Sequence, residues 1–327
     1  MVVFYHVARH MQKDLGYLPL GSCSQFGHSG VDLFFVLSGF IIFFVHRSDV
    51  GNSARLSTFI ERRFTRIYPL YWFSLIFGLA LLAASSTQKI PSAFAFLYVA
   101  TLMPNSGEVG IAWTLQHETL FYFLVAFSIV NRKIGKAVLL SWLAIIVTAW
   151  ILVLPVGESA FLQRLTSGFN IEFFFGMFAA FAVVERKVRS PKSVLALGCA
   201  CFGLTAYLEN LALLDGYTNN AHVAYGLSAM LIVMGAATAE MHGSLTVPAA
   251  LVRLGKASYS IYLFHLPSIG IAYKLSEVSR LYSVFPVWLV YFLIVLAGVA
   301  AGMVVSTLFE HRLIDFTRRI FMLKVAP

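Results

Sequence analysis

The sequence predicts an all-α, polytopic membrane helix bundle, with nine full spans and a shortened first one. Three observations carry this. Of 327 residues, 59% are hydrophobic and 12% charged, where a soluble domain has roughly 25% charged, and the mean hydropathy is +0.80. Apolar stretches long enough to cross about 30 Å of hydrocarbon recur along the chain. Lys and Arg gather in alternate loops.

The opening "MVVFYHVARH" is the shortened span. Met1 to His6 covers only about 9 Å at 1.5 Å per residue, so the first span reads as truncated: either the true start lies upstream of Met1 or most of a helix has been lost. It is no signal peptide, having neither a basic leading region nor a full apolar core. The full spans follow near residues 29–46, 68–86, 110–130, 137–155, 171–184, 193–214, 222–239, 258–275 and 285–309. Together they read as one transmembrane domain over residues 1–327.

A net charge of +9 would admit a nucleic-acid partner, but its placement argues for a lipid bilayer instead. Eighteen of the 24 Lys and Arg lie in 47–67, 131–136, 185–192, 240–257 and beyond 309. Under the positive-inside rule those segments are cytoplasmic. The alternation holds if the apolar stretch 92–103 dips in from outside without crossing, which leaves 9–28 external and the C-terminus cytoplasmic. Cys23, Cys199 and Cys201 form neither a metal spacing nor a disulfide framework, and no metal site is expected. There is no phosphate-binding glycine loop, dinucleotide fingerprint or internal repeat.

Ionisable groups within a bilayer are costly, so each is a functional candidate. His6 lies near the external end of the first span, where an imidazole suits a general base at neutral pH; an interfacial histidine that only hydrogen-bonds is the plain alternative. In "FGHSGVDLFFVLSGF", Asp32 enters the membrane with the chain and is expected to cap its helix or meet a cation, and Ser38-Gly39 permits close helix approach. In "FIERRFTRIYPLYW", Arg63 and Arg66 share a helix face. Such a guanidinium pair suits a phosphate, although clustered arginines are also plain topology signals.

"AWTLQHETLFYF" brings Trp113, His117 and Glu118 to the external end of a span, the membrane face assigned to His6. A carboxylate there can orient an imidazole or bind a hydroxylated substrate; an interfacial tryptophan with incidental polar neighbours is the ordinary reading. "KASYSIYLFHLPS" puts His265 about halfway along a span, with Tyr259 and Tyr262 nearby.

In this order, these segments resemble acyltransferase family 3, bacterial inner-membrane proteins that O-acetylate surface polysaccharides. The resemblance rests on "GVDLFFVLSGF", on Arg63 and Arg66 in "RFTRIYPLYW", on Trp113 and Glu118 in "WTLQHETLFY", on Glu172 and Gly176 in "NIEFFFGMFAAF", and on His265 in "SYSIYLFH". It covers nearly the whole chain. The family's N-terminal signature is an arginine, ten residues, then a histidine held to be catalytic. "VVFYH" matches its histidine half at His6, and the arginine would precede Met1. "LFEHRLIDF" departs from the Glu-x-Pro that the resemblance implies near the C-terminus.

The resemblance implies an O-acyltransferase of the bacterial inner membrane. Acetyl-CoA is its cytoplasmic donor, with no permanently bound cofactor, and a glycan or lipid-linked saccharide is its acceptor outside. His6 and Glu118 are then catalytic and Arg63 and Arg66 hold coenzyme A, while Asp32, Trp113, His117, Glu172, Tyr259 and His265 bind substrate or support the site. An acyl-serine relay would fall to Ser38, beside which the sequence places no base. A transporter of protons or lipid-linked sugars is the alternative from another class.

Overall fold

The computed structural model describes residues 1–84, 91–104, 110–152 and 159–325, with side chains up to Ile320. The ends of two expected spans, at 85–86 and 153–155, lie outside the described residues. The helices are α1 (Val2–Leu15), α2 (Gly30–His46), α3 (Leu56–Ala84), α4 (Ala93–Ala100), α5 (Ala112–Val130), α6 (Arg132–Ile151), α7 (Ala160–Thr166) and α8 (Asn170–Val184). They continue with α9 (Pro191–Asn210), α10 (Asn219–Met241), α11 (Ala249–Lys256), α12 (Ser258–Val278), α13 (Leu281–Val284), α14 (Val287–Val305) and α15 (His311–Val325). A π-helical turn, Ser306–Glu310, joins the last two. Among the described residues there is no strand.

Seven helical stretches are long and apolar enough to cross a membrane: Gly21–His46, Ser53–Ala84, Arg132–Ile151, Ala160–Val184, Pro191–Asn210, Asn219–Met241 and Val287–Ile320. The other two expected spans form α5 and α12, of 19 and 21 residues. Gln116, His117 and Glu118 in one, and His265, Lys274 and Glu277 in the other, lower their hydropathy. The stretch 92–103 yields only the eight-residue α4, about 12 Å long and too short to cross.

The chain packs as two compact units. The first comprises Met1–His28, Ile60–Thr101 and Pro248–Pro327. In it, α1 buries the stripe Val3, Val7, Ala8 and Met11, spaced to lie on one helix face, against Ile269 and Tyr273 of α12 and Val290, Tyr291 and Ile294 of α14. The Tyr291 hydroxyl donates to the Phe4 carbonyl at 2.7 Å. Gly16, at φ +75°, ends α1 in the left-handed conformation that glycine adopts without strain. Tyr71 and Trp72 tie α3 to α4 by donating to the carbonyls of Val99 and Ala100, each at 2.9 Å.

The second unit comprises Ser29–Phe59 and Leu102–Val247. Its centre is the contact of α2 with α8, where two glycines bring the backbones together. A Cβ on Gly39 would stand 2.1 Å from the Phe173 carbonyl oxygen, and one on Gly176 would stand 1.9 Å from that of Val36. Association in a bilayer gains little from hydrophobic burial, so close packing of small residues carries much of it. Because backbone blocks both positions, Gly176→Ala should destabilise the protein by about 1–3 kcal/mol, the usual cost of overpacking. Thermal unfolding in detergent, with the exposed Gly255→Ala as control, measures this; an unchanged melting temperature for Gly176→Ala would refute it.

Candidate active site

The first unit brings His6 and His265 together. His6 is half-buried in the second turn of α1, His265 is fully buried on α12, and their ring centroids are 5.0 Å apart. Pro267 sits inside α12 two residues on, where it removes one backbone donor and loosens the turn. The Tyr262 carbonyl lies 2.6 Å from Nδ1 of His265. A carbonyl only accepts, so Nδ1 carries the proton and Nε2 keeps its lone pair. That Nε2 is buried with no hydrogen-bond partner. An imidazole of fixed tautomer, with a lone pair to offer, thus stands against the ring of His6.

The same unit holds the arginines. Arg66 donates through Nη1 to Glu310 Oε1 at 2.5 Å, and its guanidinium lies 5.1 Å from the Tyr259 ring centroid. Tyr259 is anchored in turn, its hydroxyl donating to the Ile67 carbonyl at 2.8 Å. Glu310 is nearly buried, and Oε2 accepts from Ser260 at 2.6 Å and from Ser306 at 2.9 Å. The π-helical turn puts Ser306 and Glu310 at one point, as inserted π-turns do at many functional sites. Arg66 keeps 41% of its side chain exposed, which leaves donors for an anion. Arg63, one turn earlier, is half-buried.

The other candidates belong to the second unit. Glu118 accepts from the Tyr122 hydroxyl through Oε1, and the Ser38 hydroxyl lies 3.5 Å from the same oxygen. Ser38, which in the sequence had no base beside it, therefore has a carboxylate neighbour. Trp113 packs at 5.1 Å from Phe169 and 5.9 Å from His117, ring to ring. The Asn170 amide nitrogen donates to the carbonyls of Arg164 and Leu165, at 2.7 and 3.2 Å, so its oxygen faces Nδ1 of His117 at 2.8 Å. His117 is then protonated at Nδ1, and its buried Nε2 has no partner.

Asp32 corrects the capping expectation. It sits in the first turn of α2, but that helix's N-terminus has no side-chain cap; Asp32 Oδ1 instead meets Nδ1 of His222 at 2.8 Å. A partner 190 residues away satisfies the carboxylate better than the backbone amides of its own turn. Glu172, in the first turn of α8, is buried.

His6 and Glu118 thus fall in different units, each with partners in its own. Sequence reasoning passed over Glu310, His222 and Asn170. Glu310 had one visible signal, an acid directly after a long apolar helix. His222 and Asn170 had none, because their partners lie on other helices.

The helices able to cross a membrane and the acyltransferase domain the chain carries make it a multi-pass membrane transferase. The chain belongs to the acyltransferase-domain family, whose model matches residues 1–309. It is 31% identical over 261 residues to "Exopolysaccharide production protein ExoZ" of Rhizobium meliloti (strain 1021), covering 76% of this chain and 78% of that protein. It is 24% identical over 283 residues to "Acyltransferase MdmB" of Streptomyces mycarofaciens, covering 76% of this chain and 70% of that protein. No solved structure matches.

Glu310 holds Arg66 by a charge-assisted bond. A double-mutant cycle of Arg66→Gln and Glu310→Gln, read by thermal or denaturant unfolding, should give a coupling of about 1–3 kcal/mol. Zero coupling would show that the two side chains only lie near each other.

Proposed function

We propose that this protein moves an acetyl group from cytoplasmic acetyl-CoA to a hydroxyl of an exopolysaccharide, lipopolysaccharide or related glycan at the outer face of the inner membrane. The observation that carries this reading is the pair His6 and His265, two imidazoles in contact inside an apolar unit. The name of the ExoZ relative, an exopolysaccharide production protein, supports the acceptor class. The reading takes α5 and α12 as spans in addition to the seven stretches above, with the C-terminus cytoplasmic by the positive-inside rule.

Arg63 and Arg66 hold the coenzyme A phosphates, Glu310 and Tyr259 keep Arg66 in place, and the pantetheine arm enters between helices. His6 takes the proton of the acceptor hydroxyl as its oxygen attacks the thioester carbonyl. The carbon–sulfur bond then breaks, and the thiolate recovers that proton from the imidazolium. After a small ring rotation, His265 Nε2 accepts the remaining N–H of His6 and so fixes which nitrogen is the base, as a carboxylate does in a serine-protease triad. In the second unit, Glu118 binds an acceptor hydroxyl.

Positioned general bases contribute about 10²–10⁴-fold. His6→Ala should lower acetyl transfer by that order while the protein remains inserted, and His265→Ala should lower kcat with coenzyme A affinity unchanged. The purified protein, labelled acetyl-CoA and a glycan acceptor test both, and near-normal turnover of His6→Ala would place the base elsewhere. Arg63→Gln with Arg66→Gln should weaken coenzyme A binding by roughly 1.5–3 kcal/mol per charged hydrogen bond lost. Calorimetric titration reads this, and equal affinities would reduce the arginines to a topology signal.

A further inference from the structure

Asp32, Glu172 and His222 converge from the first turns of α2, α8 and α10 in the second unit, and are 0%, 1% and 5% exposed. One ligand atom from each lies within 4.8 Å of those of the other two. Both oxygens of Glu172 and Oδ2 of Asp32 are buried with no hydrogen-bond partner. No Lys or Arg is paired with either carboxylate among the described residues. Two carboxylates this deep would cost several kcal/mol each if left uncompensated; an imidazolium at His222 would meet Asp32 alone, so a further positive species must accompany Glu172.

We propose that these three residues bind a divalent transition-metal ion. A proton shared between the carboxyl groups would neutralise one of them and satisfy one oxygen of each, leaving the second oxygen of Glu172 orphaned. A divalent cation neutralises both and gives all three orphan oxygens a partner. One imidazole with two carboxylates is a donor set for zinc, manganese or iron(II) rather than for an all-oxygen ion such as calcium.

The surroundings hold the donors in place. The Phe169 ring lies 3.9 Å from that of His222. Gly226, one turn beyond His222, leaves room for Glu172, since a Cβ there would come to 3.0 Å from Glu172 Cγ. Metal binding requires Asp32 and Glu172 as carboxylates. His222 is ligated through Nδ1 in the neutral tautomer protonated at Nε2, and any proton shared by the carboxylates is released to solvent as the ion enters. Bound there, the ion ties the N-terminal ends of three helices together. This inference does not rest on the acyl-transfer reading.

The test is elemental analysis of the full chain, purified in detergent by a histidine-free tag without chelator. Wild type should carry about one zinc, manganese or iron ion per chain, and Glu172→Gln and Asp32→Asn should carry almost none. EDTA should lower the melting temperature of wild type, and added Zn²⁺ should restore it. Equal metal in wild type and variants would mean adventitious surface binding and overturn the proposal. Should the variants not fold, wild type alone decides: a chelated preparation that neither takes up Zn²⁺ stoichiometrically nor gains stability from it would show that protons compensate the carboxylates.

Discussion

A polar group withdrawn from water into an apolar bundle must find its partner inside the bundle, and the rest of this structure depends on that constraint. Lipid offers no donor or acceptor, so an unmet group costs several kcal/mol wherever the helix carries it. The consequences are visible in each unit. Glu310 collects an arginine and two serines, and Gln116 bridges the Met103 carbonyl and the Arg164 guanidinium. Asn170 uses its amide on both sides, toward a histidine and two carbonyls. Each set joins residues distant in sequence, so polar satisfaction fixes helix register where hydrophobic packing alone would leave it loose.

The same constraint explains what could be read from the sequence. Apolar length and the alternation of basic loops locate the helices because both are properties of contiguous segments. The small pair Ser38-Gly39 was legible for the same reason. Pairings were not legible. Nothing in "NNAHVAYG" announces that His222 meets Asp32, and nothing in "SGFNIEFF" tells that Asn170 sets the tautomer of His117. Asp32 was therefore assigned to its own helix end, the nearest group that could use it, although the actual partner lies 190 residues on. Local sequence proposes local partners, while an apolar interior recruits distant ones.

The candidate site shows both sides of this. The motif residues were recognised as types, namely a histidine at position 6, arginines three apart and a histidine in mid-helix. Their grouping came from the fold, which places His265 against His6 and sets Tyr259 under Arg66. Glu310 was hidden by a departure from the expected motif at the following residues, although the acid itself is present. A carboxylate that accepts from three donors is held by its surroundings rather than by the residues next to it in the chain.

The atoms left unmet carry the most information, because two of the clusters leave different kinds of deficit. Beside His6 the orphan is one lone pair, on Nε2 of His265. It needs a single N–H or O–H, which a neutral neighbour such as His6 supplies without moving charge into the bundle. In the cluster of Asp32, Glu172 and His222 the orphans are three carboxylate oxygens on two acids. Hydroxyls would satisfy their geometry and leave their charge. A deficit of donors can be answered by a neutral group that comes and goes, and a deficit of positive charge calls for a resident cation or proton. The same burial that readies one cluster for transient chemistry therefore gives the other a permanent occupant.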